Sequence, residues 1–105
     1  YLVDSAGCML PAQVKNYICD LKNASPDIKI GFHGHNNLGL AVANSLTAVE
    51  LGVDIIDTTL QGIGRSAGNT PTEQFICCLL AKGFKPPFDP IAVMDIAEHF
   101  ITPLW

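Results

Sequence analysis

Phe32-His33-Gly34-His35-Asn36-Asn37 follows directly on the apolar run Ile28-Lys29-Ile30-Gly31 and decides the reading of the chain. In an extended strand, residues two apart share a face and lie roughly 6–7 Å from each other, so His33 and His35 can both turn toward one ion. Gly34 between them carries no side chain and leaves room for a close neighbour. The competing reading is a pair of histidines donating hydrogen bonds at a strand end. Two ring nitrogens, joined by any oxygen from Asp or Asn, suit Mn²⁺, Mg²⁺, Fe²⁺, Co²⁺ or Zn²⁺, so the spacing alone does not name the metal.

Working outward, Ile28–Phe32 is expected to be a strand that delivers the histidine pair at its carboxyl end. Leu38, Val42, Leu46 and Val49 recur at helical spacing up to Gly52, and a β-branched run, Val53–Leu60, predicts the next strand. Upstream, residues 1–3 read as a short buried strand and Asp4-Ser5-Ala6-Gly7 as the loop leaving it. Pro11 suits the first turn of a helix with Leu10, Val14, Tyr17 or Ile18, and Leu21 on one face, although Leu10 is no capping residue. That helix is expected to end in the turn cluster 23–26. Downstream, a loop with three glycines, Gln61–Asn69, precedes Thr70-x-x-Glu73, which predicts a capping box with Pro71 at the first helical position. This helix is expected to bury Phe75, Ile76, Leu79 and Leu80 and to stop at Gly83. Phe84-Lys85-Pro86-Pro87-Phe88 cannot continue it. Asp89-Pro90 predicts a last helix with Ile91, Met94, Ala97 and Phe100 or Ile101 on one face, stopping near Pro103.

Strand and helix alternating at this spacing imply right-handed crossover units on a parallel α/β sheet. With 105 residues the chain holds one small domain, well short of the roughly 250 that a closed (β/α)₈ barrel needs. A hydrophobic share of 49% can fill a core, which excludes a disordered tail. A formal charge of −4 without basic runs argues against nucleic acid. No apolar stretch reaches the roughly 18 residues of a membrane span, and residues 1–4 lack the features of a secretory leader, so a cytoplasmic location is expected. Cys8, Cys19, Cys77 and Cys78 show no C-x-x-C spacing and are expected to be buried free thiols. Tyr1 is not an initiator Met, and the chain reads as starting within a strand.

In parallel α/β structures ligands collect at the carboxyl ends of strands, where Ser5, His33, His35 and the 62–69 loop all fall. The loop lacks the full G-x-G-x-x-G spacing and any P-loop Lys-Ser/Thr, so a rim loop approaching substrate or metal is a better reading than a dinucleotide cradle. Asn69 either gives an amide oxygen to the ion or only shapes the turn. Asp4 and Asp57 are acid–base groups, metal ligands or, more simply, partners of backbone N–H groups or lysines. Ser5 has no nucleophile-elbow setting and is better placed to donate to a substrate carboxylate or keto oxygen. His99 reads as an exposed or partly packed helical residue.

Val3–Gly7, Gly31–Ser45 with its His-Gly-His-Asn-Asn-Leu-Gly block, and Gly62–Asn69 together resemble the metal-dependent pyruvate aldolases, and within them the 4-hydroxy-2-oxovalerate aldolases. Their superfamily also holds hydroxymethylglutaryl-CoA lyase and the isopropylmalate and homocitrate synthases. The likeness extends into Val93–Glu98 and Pro103-Leu104. It implies that residues 1–83 are the last three strand–helix units of a TIM barrel, 84–88 a linker, and 89–105 the first helix of a C-terminal helical extension. His33 and His35 match the family's metal pair, with His33 also near substrate; Ser5 matches a substrate-contacting serine, and Asn69 a position that ligates metal in the lyase branch. Arg65 stands where a small residue is expected. The resemblance places an Arg-Asp pair and a nearby histidine base on a first strand, and a substrate-contacting tyrosine in the C-terminal extension; none of these is among the present residues.

The implied activity is cleavage of a 4-hydroxy-2-oxo acid such as 4-hydroxy-2-oxopentanoate to pyruvate and acetaldehyde, as in aromatic hydrocarbon catabolism. It would use Mn²⁺ before Mg²⁺, Co²⁺ or Zn²⁺, with the 105 residues alone inactive. An acetaldehyde dehydrogenase is the partner the resemblance implies for the full-length protein. Two other readings stand beside it: an acyl-CoA/2-oxo acid synthase or lyase of the same superfamily, and a non-catalytic half-barrel that self-associates through unpaired strand edges.

Overall fold

Three strands, β1 (Leu2–Val3), β2 (Gly31–His33) and β3 (Ile55–Ile56), lie parallel in the order β1-β2-β3 in a computed structural model that describes residues 1–105. The register pairs Leu2 with Phe32 and Val3 with His33 on one side, and Gly31 with Ile55 and Phe32 with Ile56 on the other. The connections are α1 (Pro11–Ala24) and α2 (Ala41–Glu50); α3 (Thr72–Ala81) and α4 (Pro90–Phe100) follow.

Side-chain alternation gives the sheet two unlike faces. Phe32, fully buried, anchors the helix-covered face with Ile30, with Val14 and Ile18 of α1, and with Ala48 of α2. On the other face, which His33 shares, Tyr1 is 68%, Val3 45% and Ile55 48% exposed. A fully wrapped domain would cover both faces of a parallel sheet; here one is left open.

Several expectations are corrected. The second strand begins at Gly31 rather than Ile28 and includes His33. Ile30 N donates to the Asp54 carboxylate at 2.9 Å, so a side chain takes the place of a ladder partner before the strand starts. The third strand shrinks from residues 53–60 to Ile55–Ile56, because it has a neighbour on one side only; beyond it a single bridge joins Thr59 to Pro71.

In α2 the buried positions are Ala41, Asn44, Ser45 and Ala48, while Leu38 is exposed. Ala48 packs in the core, Asn44 donates to Met9 O at 2.9 Å and Ser45 pairs with Thr70, while Val42, Leu46 and Val49 of the expected stripe are half-buried. In α1, Val14 and Ile18 are buried as expected but Tyr17 and Leu10 are exposed. Its uncapped start is closed from inside, by Gln13 Oε1 accepting from Leu10 N at 2.8 Å.

The capping box at α3 does not form. Thr70 is fully buried and its hydroxyl pairs with Ser45 Oγ at 3.0 Å. Glu73 reaches instead to Gln61 N, 2.9 Å from each of its oxygens, and Pro71 becomes the N-cap. Asp89 does cap α4, accepting from Ile91 N at 3.1 Å. Of that helix's apolar face only Ala97 is buried; Ile91, Met94 and Phe100 are exposed. All four cysteines are free, but none is buried: Cys8, in a loop, and Cys77, on α3, are exposed, and Cys19 on α1 and Cys78 on α3 are half-buried. No helix is long and apolar enough to cross a membrane.

Candidate functional site

Parallel pairing brings the carboxyl ends of β1 and β2 side by side, and Asp4 N continues the ladder by donating to His33 O at 3.0 Å. Asp4 is buried, and both of its carboxylate oxygens are taken, by Cys8 N and Met9 N at 3.1 Å each. Of the roles open to Asp4, the structure selects the backbone-pairing one. It also uses the Asp4 carbonyl, which accepts from His35 Nδ1 at 2.7 Å.

His33 and His35 are brought together, with ring centroids 4.9 Å apart and planes inclined by 70°. His33 Nδ1 lies 2.9 Å from Asp57 Oδ2. A carbonyl accepts only, and so does a carboxylate, so both Nδ1 atoms carry the proton, and in the neutral form of each ring Nε2 is the nitrogen that holds the lone pair. This is the arrangement in which metal-binding histidines are usually held. Gly34 makes it possible: a Cβ there would sit 3.0 Å from the Phe32 ring and 3.4 Å from Thr70 Oγ1.

The glycine loop folds back on this pair. Asn36 N donates to Gly68 O at 2.9 Å, and His35 and Asn69 form an isolated antiparallel bridge. Asn69 donates its amide N–H to Ile63 O at 3.1 Å, which leaves the carbonyl oxygen Oδ1 as the atom available to accept or to coordinate. Asn37 ties the two rim loops together, donating to Ala6 O at 2.7 Å and accepting from Ala67 N at 3.3 Å. Ser5 is exposed in the turn next to the Asp4 carbonyl that holds His35, and Arg65 is exposed in the glycine loop. His99 is exposed on α4, its ring 6.2 Å from that of Phe100.

Two more residues join the site. Asp57, open from the sequence to an acid–base, metal-ligand or backbone- or lysine-pairing role, holds His33 instead, and Tyr1, which the sequence does not single out as a site residue, donates its hydroxyl to Asp57 Oδ1 at 3.3 Å. The phenol's pKa is raised from its ordinary 10.0 by desolvation of the hydroxyl, and further by the charge of Asp57 and its hydrogen bond, which keeps it a donor.

No three His, Cys, Asp or Glu side chains converge anywhere in the chain. The two imidazoles therefore fit half of a metal site: two nitrogens with fixed tautomers and one amide oxygen on the adjacent loop. A divalent ion prefers four to six donors, so the remainder must come from substrate, water or other residues. A separate apolar cavity of about 370 Å³ lies between β3, α3 and residues 84–88, lined by Val53, Ile56, Phe75 and Phe84 among others and by none of the rim residues.

Residues 1–100 match the family model described as HMGL-like. Among curated proteins, the chain is 46% identical over 104 residues to a 4-hydroxy-2-oxovalerate aldolase of Thermomicrobium roseum, covering 99% of this chain and 29% of that protein. It is 44% identical to the enzyme of the same name from Thermus thermophilus, covering 99% and 30%. Among solved structures, the HMG-CoA lyase of Bacillus subtilis superposes with a TM-score of 0.88 at 28% identity, over 98% of this chain and 37% of that one. The carboxyl transferase domain of Rhizobium etli pyruvate carboxylase, solved with oxalate, gives 0.80 at 29% identity over 92% and 16%. The chain thus spans about 30% of the length of the curated relatives it matches.

Proposed function

The chain belongs to the HMGL-like family, and on that premise we propose that it is the metal-binding rim portion of a divalent-metal-dependent aldolase that cleaves 4-hydroxy-2-oxo acids to pyruvate and an aldehyde. The observation that carries this reading is the pair of imidazoles with ring centroids 4.9 Å apart whose Nδ1 atoms are both committed to acceptors, which leaves Nε2 of each neutral ring as the nitrogen free to bind an ion. The names of the 44–46% identical relatives supply the substrate class, with 4-hydroxy-2-oxopentanoate as its first member and acetaldehyde as the second product.

His33 and His35 would hold the ion through Nε2, with Asn69 Oδ1 as an oxygen donor. Mn²⁺ is the ion favoured by the resemblance; when bound, it supplies Lewis-acid polarisation of a 2-keto oxygen and charge stabilisation of the enolate that forms as the carbon–carbon bond breaks. The chain's own residues hold and orient. The Asp4 carbonyl and Asp57 keep both rings in the donor tautomer. Ser5, exposed beside them, offers a hydroxyl to the substrate's carboxylate or keto oxygen. Asn37 keeps the loop after β1 and the glycine loop at a fixed separation. The base that takes the 4-hydroxyl proton has no candidate on this rim, because the carboxylates of Asp4 and Asp57 are already engaged. By the same resemblance the protein works in the cytoplasm with an acetaldehyde dehydrogenase as partner.

The test is pyruvate release from 4-hydroxy-2-oxopentanoate in the presence of Mn²⁺. The 105-residue chain alone is expected to show no turnover above background, and a protein of the relatives' full length that contains it to be active. Near-enzyme rates from the isolated chain, or a complete protein inert toward this substrate class, would overturn the reading.

A further inference from the structure

His33 and His35 are held by acceptors of different kinds. His35 leans on a backbone carbonyl, Asp4 O, which is itself fixed because Asp4 N donates to His33 O at 3.0 Å. His33 depends on a side chain, the Asp57 carboxylate, which follows β3 on the neighbouring strand. The other oxygen of that carboxylate is held by the Tyr1 hydroxyl, so the open face of the sheet carries a chain Tyr1–Asp57–His33 formed by the residue before β1, the residue after β3 and the last residue of β2. Tyr1 lies over Gly31: a Cβ at residue 31 would stand 2.7 Å from two ring carbons, so only glycine there admits the tyrosine in this pose.

We propose that Asp57 is the positioning residue that fixes His33 as its Nδ1-protonated tautomer and aims Nε2 at the ion, and that Tyr1 in turn fixes the Asp57 carboxylate. The inference rests on the reading of His33 as a metal ligand. A neutral imidazole without a partner distributes its proton between both nitrogens, and one that donates to a carboxylate is locked and made a stronger ligand at the other nitrogen. The side chains of His33 and Asp57 are 29% and 38% exposed, so water competes for their bond. A second hold on the carboxylate is what keeps the bond directed, and Tyr1 supplies it. His35 needs no such help, since its acceptor is a backbone carbonyl that also accepts from Gly7 N at 3.1 Å and belongs to a residue tied to β2 through its own N–H.

The test uses the 105-residue chain at about pH 8, above the ordinary imidazole range. Ring ¹H–¹⁵N correlations read the tautomer of each histidine without metal. Titration with Co²⁺, which imidazole sites bind more tightly than Mn²⁺, reads affinity. Asp57→Ala is expected to move His33 to a mixture of tautomers, to leave His35 unchanged, and to weaken Co²⁺ binding about 10- to 100-fold. Asp57→Asn keeps an acceptor oxygen for Nδ1–H and is expected to restore most of the tautomer with a smaller loss of affinity; Tyr1→Phe should fall between it and the unsubstituted chain. A His33 that stays Nδ1-protonated in Asp57→Ala, or a His33 and His35 that shift together, would overturn the proposal. An unsubstituted chain that takes up no Co²⁺ would overturn the metal reading instead, so the two failures appear in different spectra.

Discussion

Gly68→Ala is expected to release the glycine loop from His35 at a cost of about 3 kcal/mol, made of left-handed backbone strain and broken hydrogen bonds. Gly68 has φ +90, and a Cβ on it would sit 2.1 Å from the Gly62 carbonyl oxygen, closer than any non-bonded pair can approach. That oxygen is the acceptor for Asn69 N at 2.9 Å, and Gly68 O is the acceptor for Asn36 N. Relief of the clash therefore breaks the contacts that bring Asn69 beside the histidine pair. Because the loop can open without unfolding the sheet, the effect should be local: amide exchange at Asn36 and Asn69 is expected to accelerate about a hundredfold, while Phe32 keeps its protection. Unchanged exchange at those two amides would show that the loop does not depend on the Gly62–Gly68 approach.

Truncating an imidazole is the largest expected functional loss. His33→Ala or His35→Ala removes one of two nitrogen donors, and Co²⁺ affinity of the 105-residue chain is expected to fall at least about 100-fold, beyond the range typical of removing a supporting partner. His99→Ala should leave it unchanged, since His99 is exposed on α4 and its ring neighbours Phe100 rather than another imidazole. Titration calorimetry of the three variants decides: equal losses in all three would mean that any exposed imidazole accounts for the binding.

The alternation of strand and helix was legible in the sequence because it depends on local patterns. Hydrophobic period, the Pro11 and Asp89-Pro90 helix starts and the glycine stops all lie within a few residues of what they specify. The histidine pair was legible for the same reason, since two residues of separation at a strand end suffice to bring the rings together, although β2 stops at His33 and His35 sits in an isolated bridge beyond it. Contacts across the sheet were not legible. Thr70-x-x-Glu73 satisfies the rule for a capping box, yet Thr70 is claimed by Ser45 and Glu73 by Gln61, both distant in sequence. Asp57 lies 24 residues from His33, and only the strand register makes them neighbours. A strand's length likewise depends on its neighbours, so the β-branched run 53–60 yields only Ile55–Ile56 where one side has no partner. The apolar stripe of α4 shows the same limit: periodicity marks a face as suited to burial, and Ile91 and Phe100 remain exposed because nothing in these 105 residues covers them.

The most direct measurement of the two-imidazole site is the ring ¹H–¹⁵N spectrum of the unsubstituted chain during titration with paramagnetic Co²⁺. The account predicts that His33 and His35 are perturbed together, through Nε2, and saturate at one ion per chain, while His99 keeps its signals. Perturbation of His99 in parallel with the other two, or of His33 and His35 at separate midpoints through Nδ1, would contradict a shared site on the rim.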